Sequence, residues 1–236
     1  LDSLKETGLL DKVSRIEAVE IEAPEAQKVS DRYKDTPKVK VINQDFFDFY
    51  KEALGKKTFD LILGNPPYIR YQYLKESQRE CQAQILTSHG MKSNKLINAW
   101  VAFMVASVQM LSKRGKIAFV IPAEILQVAY AEDLRLYLAN HLAKITLITF
   151  EQLVFPDIEQ EVVVFIGEKG DAEKGIRIIE MNDLSGFDAL DLASNGFQPV
   201  QHVKEKWTKY FVNAEEMSLI QELRADKRFA QFSEYT

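Results

Sequence analysis

The chain has 236 residues, 46% of them hydrophobic, enough to bury one substantial α/β core and leaving little room for a second full domain. Its net charge of −5 at pH 7 has the wrong sign for a protein that grips nucleic acid over its whole surface, so any such contact must be local. A single cysteine, Cys81, excludes an internal disulfide, and the three histidines, His89, His141 and His202, lie too far apart in sequence for metal-ligand spacing; an intracellular, metal-free protein is expected.

The opening "LDSLKETGLL" has neither an initiator Met nor a basic-then-apolar signal pattern, and reads as the start of an excised piece with no sign of secretion. Strand and helix patterns then alternate. "VSRIEAVEI" (13–21) reads as a strand, "PEAQKVSDRY" (24–33) as a helix, "KVKVINQD" (38–45) as a strand, "FFDFYKEAL" (46–54) as a short helix and "FDLILG" (59–64) as a strand. An irregular region of about 30 residues follows. Within "LINAWVAFMVASVQML" (96–111) the apolar run is too short for a membrane span and carries Asn and Gln, so a buried helix over 98–113 is expected, ended by "KRG". "KIAFVIP" is then a strand, 129–142 a helix, "KITLITF" (144–150) a strand and "EVVVFIGE" (161–168) another; "IRIIEMND" reads as one more strand and 213–226 as a helix capped by Asn213. This alternation predicts a mainly parallel sheet covered on both faces, with one antiparallel strand where two strands follow each other without a helix.

One stretch carries chemistry. "GNPPY" (64–68) stands at the end of "FDLILG", and a strand cannot continue through two prolines, because each removes a ladder donor and fixes φ. The strand therefore stops at Gly64, and a rigid extended segment holds Asn65 and Tyr68 at the carboxyl edge of the sheet, where open α/β sheets bind ligands. Between Pro66 and Lys95 the basic residues Arg70, Lys75, Arg79, Lys92 and Lys95 outnumber the acids Glu76 and Glu80, with Tyr68, Tyr71 and Tyr73 interleaved, a mixture suited to phosphates and bases and equally compatible with an ordinary solvated surface.

In this context the sequence resembles the adenine-N6 DNA methyltransferases, the NPPY amino-methyltransferases of bacterial restriction-modification systems, closely over residues 10–170. The resemblance implies a Rossmann-like methyltransferase fold, S-adenosylmethionine as methyl donor, double-stranded DNA as partner, and a cytoplasmic protein of a bacterium or archaeon with no membrane association. The catalytic fork would be formed by Asn65, Pro66, Pro67 and Tyr68: the Asn oxygen and the carbonyl of the first proline accept from the target amine, and the aromatic stacks on a flipped base. The cofactor's ribose would meet Glu20, with Ile21 packing on its adenine, although "EIEAPEA" has one residue more than expected before Pro-Glu-Ala. Asp45 and Phe46 would meet the adenine moiety, Asp45 doubling as a helix N-cap, and Phe155 would bring a second aromatic to the flipped base.

The resemblance also implies a first central strand with a Gly-rich turn that cradles the methionine end of the cofactor. No such motif occurs in these residues; "GEKGDAEKG" (167–175) reads as a polar, hairpin-like loop. The strands ending at Ile21 and Gly64 are therefore expected to leave open edges, and the isolated piece to be inactive. Residues 1–170 are read as a partial catalytic core, and 171–236 as its end and the connection towards a target-recognition domain, with a restriction or specificity domain or subunit as a further partner. Two other readings remain: a protein-glutamine methyltransferase, which meets the same delocalised lone pair on an amide, and a non-catalytic interaction fragment. N4-cytosine transfer is a variant of the first, since the fork does not name the ring.

Overall fold

A computed structural model describes residues 1–154, 160–192, 196–200, 206–212, 214–226 and 228. The chain divides into two compact units, Leu1–Lys57 and Thr58–Thr236.

The first unit is a single βαβ motif with a flanking helix. After the short helix α1 (Asp2–Glu6), strand β1 (Ile16–Glu20) leads into α2 (Ala23–Arg32), and β2 (Val39–Asn43) into α3 (Phe46–Ala53). The two strands pair in parallel from Ile16↔Val39 to Glu20↔Asn43. Pro24 lies in the first turn of α2, where its missing N–H costs nothing. Phe47, Phe49, Tyr50 and Ala53 are the buried residues of α3. The Glu17 carboxylate, 3% exposed, is held by Arg15 and by Lys57 at 2.9 Å, so the charge that β1 carries inward is paired.

The second unit is built on a six-stranded sheet. Strand β3 (Phe59–Gly64) is followed by a 3₁₀ turn (Tyr71–Tyr73), helix α4 (Glu76–Thr87) and helix α5 (Ala99–Met110), which runs without a loop into β4 (Leu111–Pro122). Helix α6 (Glu132–His141), β5 (Lys144–Phe150), β6 (Val162–Glu168), β7 (Gly175–Met181), the two-residue β8 (Gln198–Pro199) and α7 (Ala214–Ala225) complete it. The strand order is β3-β4-β6-β5-β7-β8. Strand β3 is parallel to β4, and β5 to β7, while β6 runs antiparallel to both of its neighbours as the double-strand pattern predicted. The short β8 adds one more antiparallel pairing. Helix α5 is apolar all round and buried along nearly its whole length, as such a helix must be.

Four expectations are corrected. The helix expected over 98–113 and ended by "KRG" stops at Met110, and Lys113, Arg114 and Gly115 belong to β4. The region after Tyr73 is not irregular throughout: it contains α4, a polar helix whose buried positions are Cys81, Gln82, Ile85 and Leu86. The 167–175 segment does not close a hairpin, because β5 lies between β6 and β7; it crosses the start of β5 and is fixed there by Ala143, whose N–H donates to Glu168 and whose carbonyl accepts from Gly175. The helix expected over 129–142 opens as a 3₁₀ turn (Ala129–Ala131) before α6 begins. Asn213 lies outside the described residues.

Strands β1 and β3 each end a sheet, each with one edge unpaired among the described residues. Leu61 and Leu63, two residues apart and so on one face of β3, are half exposed, at 50% and 55%, in a run that is apolar apart from Asp60. No described helix is long and apolar enough to cross a membrane.

Candidate active site

The fork is positioned by the way β3 ends. Its pairing with β4 closes at Gly64↔Phe119, and a Cβ on Gly64 would lie 3.2 Å from the Phe119 ring, so any side chain there would crowd that ring. Pro66 is buried and fixes the chain's exit, while Asn65 before it is exposed at the carboxyl edge. Tyr68 then turns back: its hydroxyl donates to the Val120 carbonyl at 3.0 Å, one residue beyond the last β3–β4 pair. Burial pushes the Tyr68 phenol up to about 12. At Ile69 the carbonyl accepts from the Ala99 N–H at the start of α5, at 2.9 Å. Asn65, Pro66, Pro67 and Tyr68 thus run from the last β3 pairing at Gly64 to two adjacent anchors, Tyr68 on β4 and Ile69 on α5.

Strands β3, β4 and β5 run in the same sense, so their carboxyl ends share one edge. Residues 151–154 leave that edge after β5; Phe155, the expected second aromatic, lies outside the described residues. Sequence reasoning missed a polar pair on this edge. Glu124, two residues past the end of β4, accepts a hydrogen bond from the Tyr130 hydroxyl. Burial and the Glu124 carboxylate raise the Tyr130 pKa, and the side chains of Trp100 and Asn98 act on the same hydroxyl in the opposite sense. Arg135, buried in α6, fixes the connection by donating to the carbonyls of Ile125 and Val128 at 3.0 and 3.1 Å. The available signal was an acid two residues beyond a strand, in "IPAEIL".

In the first unit, Glu20 and Asp45 stand at the carboxyl ends of adjacent parallel strands. One Glu20 oxygen accepts from the Glu22 N–H at 2.8 Å, and the Asn43 amide donates to the carbonyls of Glu20 and Ile21. The Asp45 side chain caps α3 by accepting from the Phe47 N–H at 2.8 Å, the capping role anticipated for it. Ile21 is 49% exposed, an apolar side chain left open beside these carboxylates. Phe46 is partly buried, edge-on to Phe47 with ring centroids 6.0 Å apart. A cleft of about 300 Å³ in this unit is lined by Lys40, Ile42, Phe49 and Lys57 among others and includes none of these four positions. The fold also brings together two histidines distant in sequence: His89 and His141 have ring centroids 6.0 Å apart, with Tyr137 stacked on His141 at 4.0 Å.

An open α/β sheet with an Asn-Pro-Pro-Tyr fork at the carboxyl end of one strand defines a Rossmann-like methyltransferase fold. The Type ISP restriction-modification enzyme LlaGI, solved as a nuclease-deletion mutant with a DNA substrate mimic, matches with a TM-score of 0.62 at 10% identity, over 87% of this chain and 26% of that one. A type I restriction-modification methyltransferase subunit from Streptococcus thermophilus matches with a TM-score of 0.53 at 14% identity, over 86% of this chain and 40% of that one. By sequence, the chain belongs to the Eco57I restriction-modification methylase family, whose model matches residues 6–155 and so spans every candidate position from Glu20 to Phe155. The Type II methyltransferase M.HincII of Haemophilus influenzae is 31% identical over 157 residues. That alignment takes in 66% of this chain and 30% of the relative, so the chain spans less than a third of its length.

Proposed function

We propose that this chain forms part of the catalytic core of an enzyme that transfers a methyl group from S-adenosylmethionine to the N6 amino group of adenine in double-stranded DNA, within a bacterial or archaeal restriction-modification system. The observation that carries the reading is the fork: an exposed Asn65 on a proline-fixed segment, with Tyr68 anchored beside it, at the carboxyl edge of the sheet. An exocyclic aromatic amine is a poor nucleophile because its lone pair is delocalised into the ring. Two immobile acceptors, the Asn65 side-chain oxygen and the Pro66 carbonyl, draw its two N–H bonds into the pyramidal geometry in which the lone pair points outward. No basic side chain has to remove a proton before attack; the extra proton leaves from the cationic product. Tyr68 offers a ring face to the extruded base, and Phe155 is proposed as the second aromatic.

The first unit fits the nucleoside end of the cofactor. Carboxylates at neighbouring strand ends suit the ribose hydroxyls (Glu20) and the adenine amine (Asp45), and the open Ile21 side chain and Phe46 suit the flat face of the ring. When bound, S-adenosylmethionine supplies an electrophilic methyl group. Residues 171–236 are proposed to lead towards a target-recognition domain, and a restriction or specificity domain or subunit is proposed as a further partner.

The test is tritium-methyl transfer by the full-length protein to adenine-containing duplex DNA, to duplexes whose only exocyclic amine in the target strand is cytosine N4, and to release-factor protein. Label in N6-methyladenine is the expected result. Label in cytosine or in glutamine would reassign the substrate, and none at all would favour a non-catalytic fragment.

A further inference from the structure

Three tyrosines stand close together in sequence, one in the fork and two just beyond it, and the structure separates them. Tyr68 is anchored to Val120. The Tyr71 ring is covered by the Arg79 guanidinium, 5.4 Å from its centroid. Tyr73 points into solvent and is 73% exposed; with Leu96, at 74%, it is one of the two most exposed large apolar side chains among the described residues, and both lie between the fork and α5.

Tyr73 is not exposed on a loose loop. Arg79 of α4 donates to the carbonyls of Tyr71 at 3.2 Å and Gln72 at 2.9 Å, the Tyr73 N–H donates to Arg70, and the next residue, Leu74, is buried at 4%. A fixed turn therefore presents a bare aromatic ring to water five residues beyond Tyr68. Around it in sequence stand Arg70 and Lys75, both exposed, and the same segment carries exposed Lys92 and Lys95. The exposed acids Glu76 and Glu80 lie in the same segment, but the four exposed cations outnumber them, and a ring in a net basic segment matches a strand of nucleic acid, with phosphates for the charges and a base or sugar for the ring. An apolar protein surface would leave those charges unmatched.

We infer that Tyr73 is a DNA-stacking residue, packing its ring on a nucleobase or deoxyribose of the strand near the extruded adenine. This rests on the DNA reading above and adds an aromatic contact beyond those proposed for Tyr68 and Phe155. Because Tyr73 touches no reacting atom, it contributes to DNA binding and leaves the chemical step alone.

The test compares Tyr73→Ala, Tyr73→Phe and Asn65→Ala in the full-length protein. Anisotropy of a labelled mixed-sequence duplex gives affinity, and single-turnover methyl transfer at saturating DNA gives the chemical rate. Tyr73→Ala is expected to weaken binding about 5- to 100-fold, the loss that corresponds to one aromatic–base stack. Tyr73→Phe should bind within about twofold of the parent, as loss of an exposed hydroxyl implies, and both should keep the parent's single-turnover rate. Irradiation of a complex with 5-iodouracil-substituted duplex should attach the peptide containing Tyr73. Unchanged affinity in Tyr73→Ala, or equal losses in the Ala and Phe variants, would overturn the stacking role while leaving methyl transfer intact. Loss of methyl transfer in Asn65→Ala with binding retained supports the fork independently. A parent that neither binds nor methylates DNA would sink both readings together.

Discussion

Replacing Tyr68 separates a hydroxyl that is bonded within the fold from a ring that is proposed to stack on a base. The hydroxyl caps the Val120 carbonyl at 3.0 Å, so Tyr68→Phe removes one hydrogen bond from a partly buried acceptor, worth about 0.5–1.5 kcal/mol. If that loss bears fully on the position of the ring, kcat/KM for methyl transfer falls by about 2- to 10-fold. Tyr68→Ala removes the ring as well, and the forfeited base stacking of roughly 1–3 kcal/mol brings the total to about 1.5–4.5 kcal/mol, a fall of roughly 10- to 2,000-fold. The hydroxyl has its own pH signature. Below pH 10 the phenol is protonated in both folded and unfolded chains and the hydrogen bond contributes fully. From pH 10 the unfolded chain releases a proton that the folded chain keeps up to about pH 12, so stability falls across that window. Thermal melts of the parent and of Tyr68→Phe should therefore converge as pH rises from 10 towards 12, while kinetics at neutral pH should rank parent, Phe and Ala in that order. If the Phe and Ala variants were equally impaired, the ring would have no stacking role.

Other expectations follow from neighbouring features. Asn65→Ala in the full-length protein should lower kcat by about 3 kcal/mol or more in single-turnover methyl transfer, with cofactor affinity by calorimetry unchanged; normal turnover would remove the fork from the chemistry. Gly64→Ala should destabilise the fold by about 1–3 kcal/mol in urea, because its Cβ would press within 3.2 Å on a Phe119 ring that is itself buried, and a neutral result would mean that the ring yields. Titration of the 236-residue chain alone with S-adenosylmethionine should give no micromolar binding, since Glu20 and Asp45 offer contacts to only one end of the molecule; tight binding would show that some other part of the chain holds the methionine end.

Punctuated apolar runs were the most legible parts of the sequence. The limits of "FDLILG" and "KITLITF" coincide with β3 and β5, because two prolines end the first and a change of pattern flanks the second. Helix α4 was hidden because it is polar on most of its surface and buries only one narrow strip, so periodicity is weak where packing is slight. The fork could be found because prolines make backbone geometry visible in one dimension. The Tyr68–Val120 bond, the Glu124–Tyr130 pair and the His89–His141 approach could not, since each joins residues that only the folded chain brings together. Asp45 illustrates a different limit: capping and ligand binding ask for the same residue at the same place, and the structure shows the first role.

The two anchors of the fork have a mechanical consequence. Tyr68 is fastened to the end of β4 and Ile69 to the beginning of α5, and α5 passes into β4 with no intervening residue. The Asn-Pro-Pro-Tyr segment is therefore tied near both ends of one continuous helix-and-strand unit. The stretch from Arg70 to Asn98 is an excursion from this closed circuit, but it is tied back to it: α4 packs on α5 and buries Cys81, Gln82, Ile85 and Leu86, and the Gln82 amide donates to the Ile97 carbonyl at 3.1 Å. Exposed positions on the excursion, such as Tyr73 and Leu96, can be exchanged without touching that packing, whereas a change at a buried one reaches the circuit that holds Asn65.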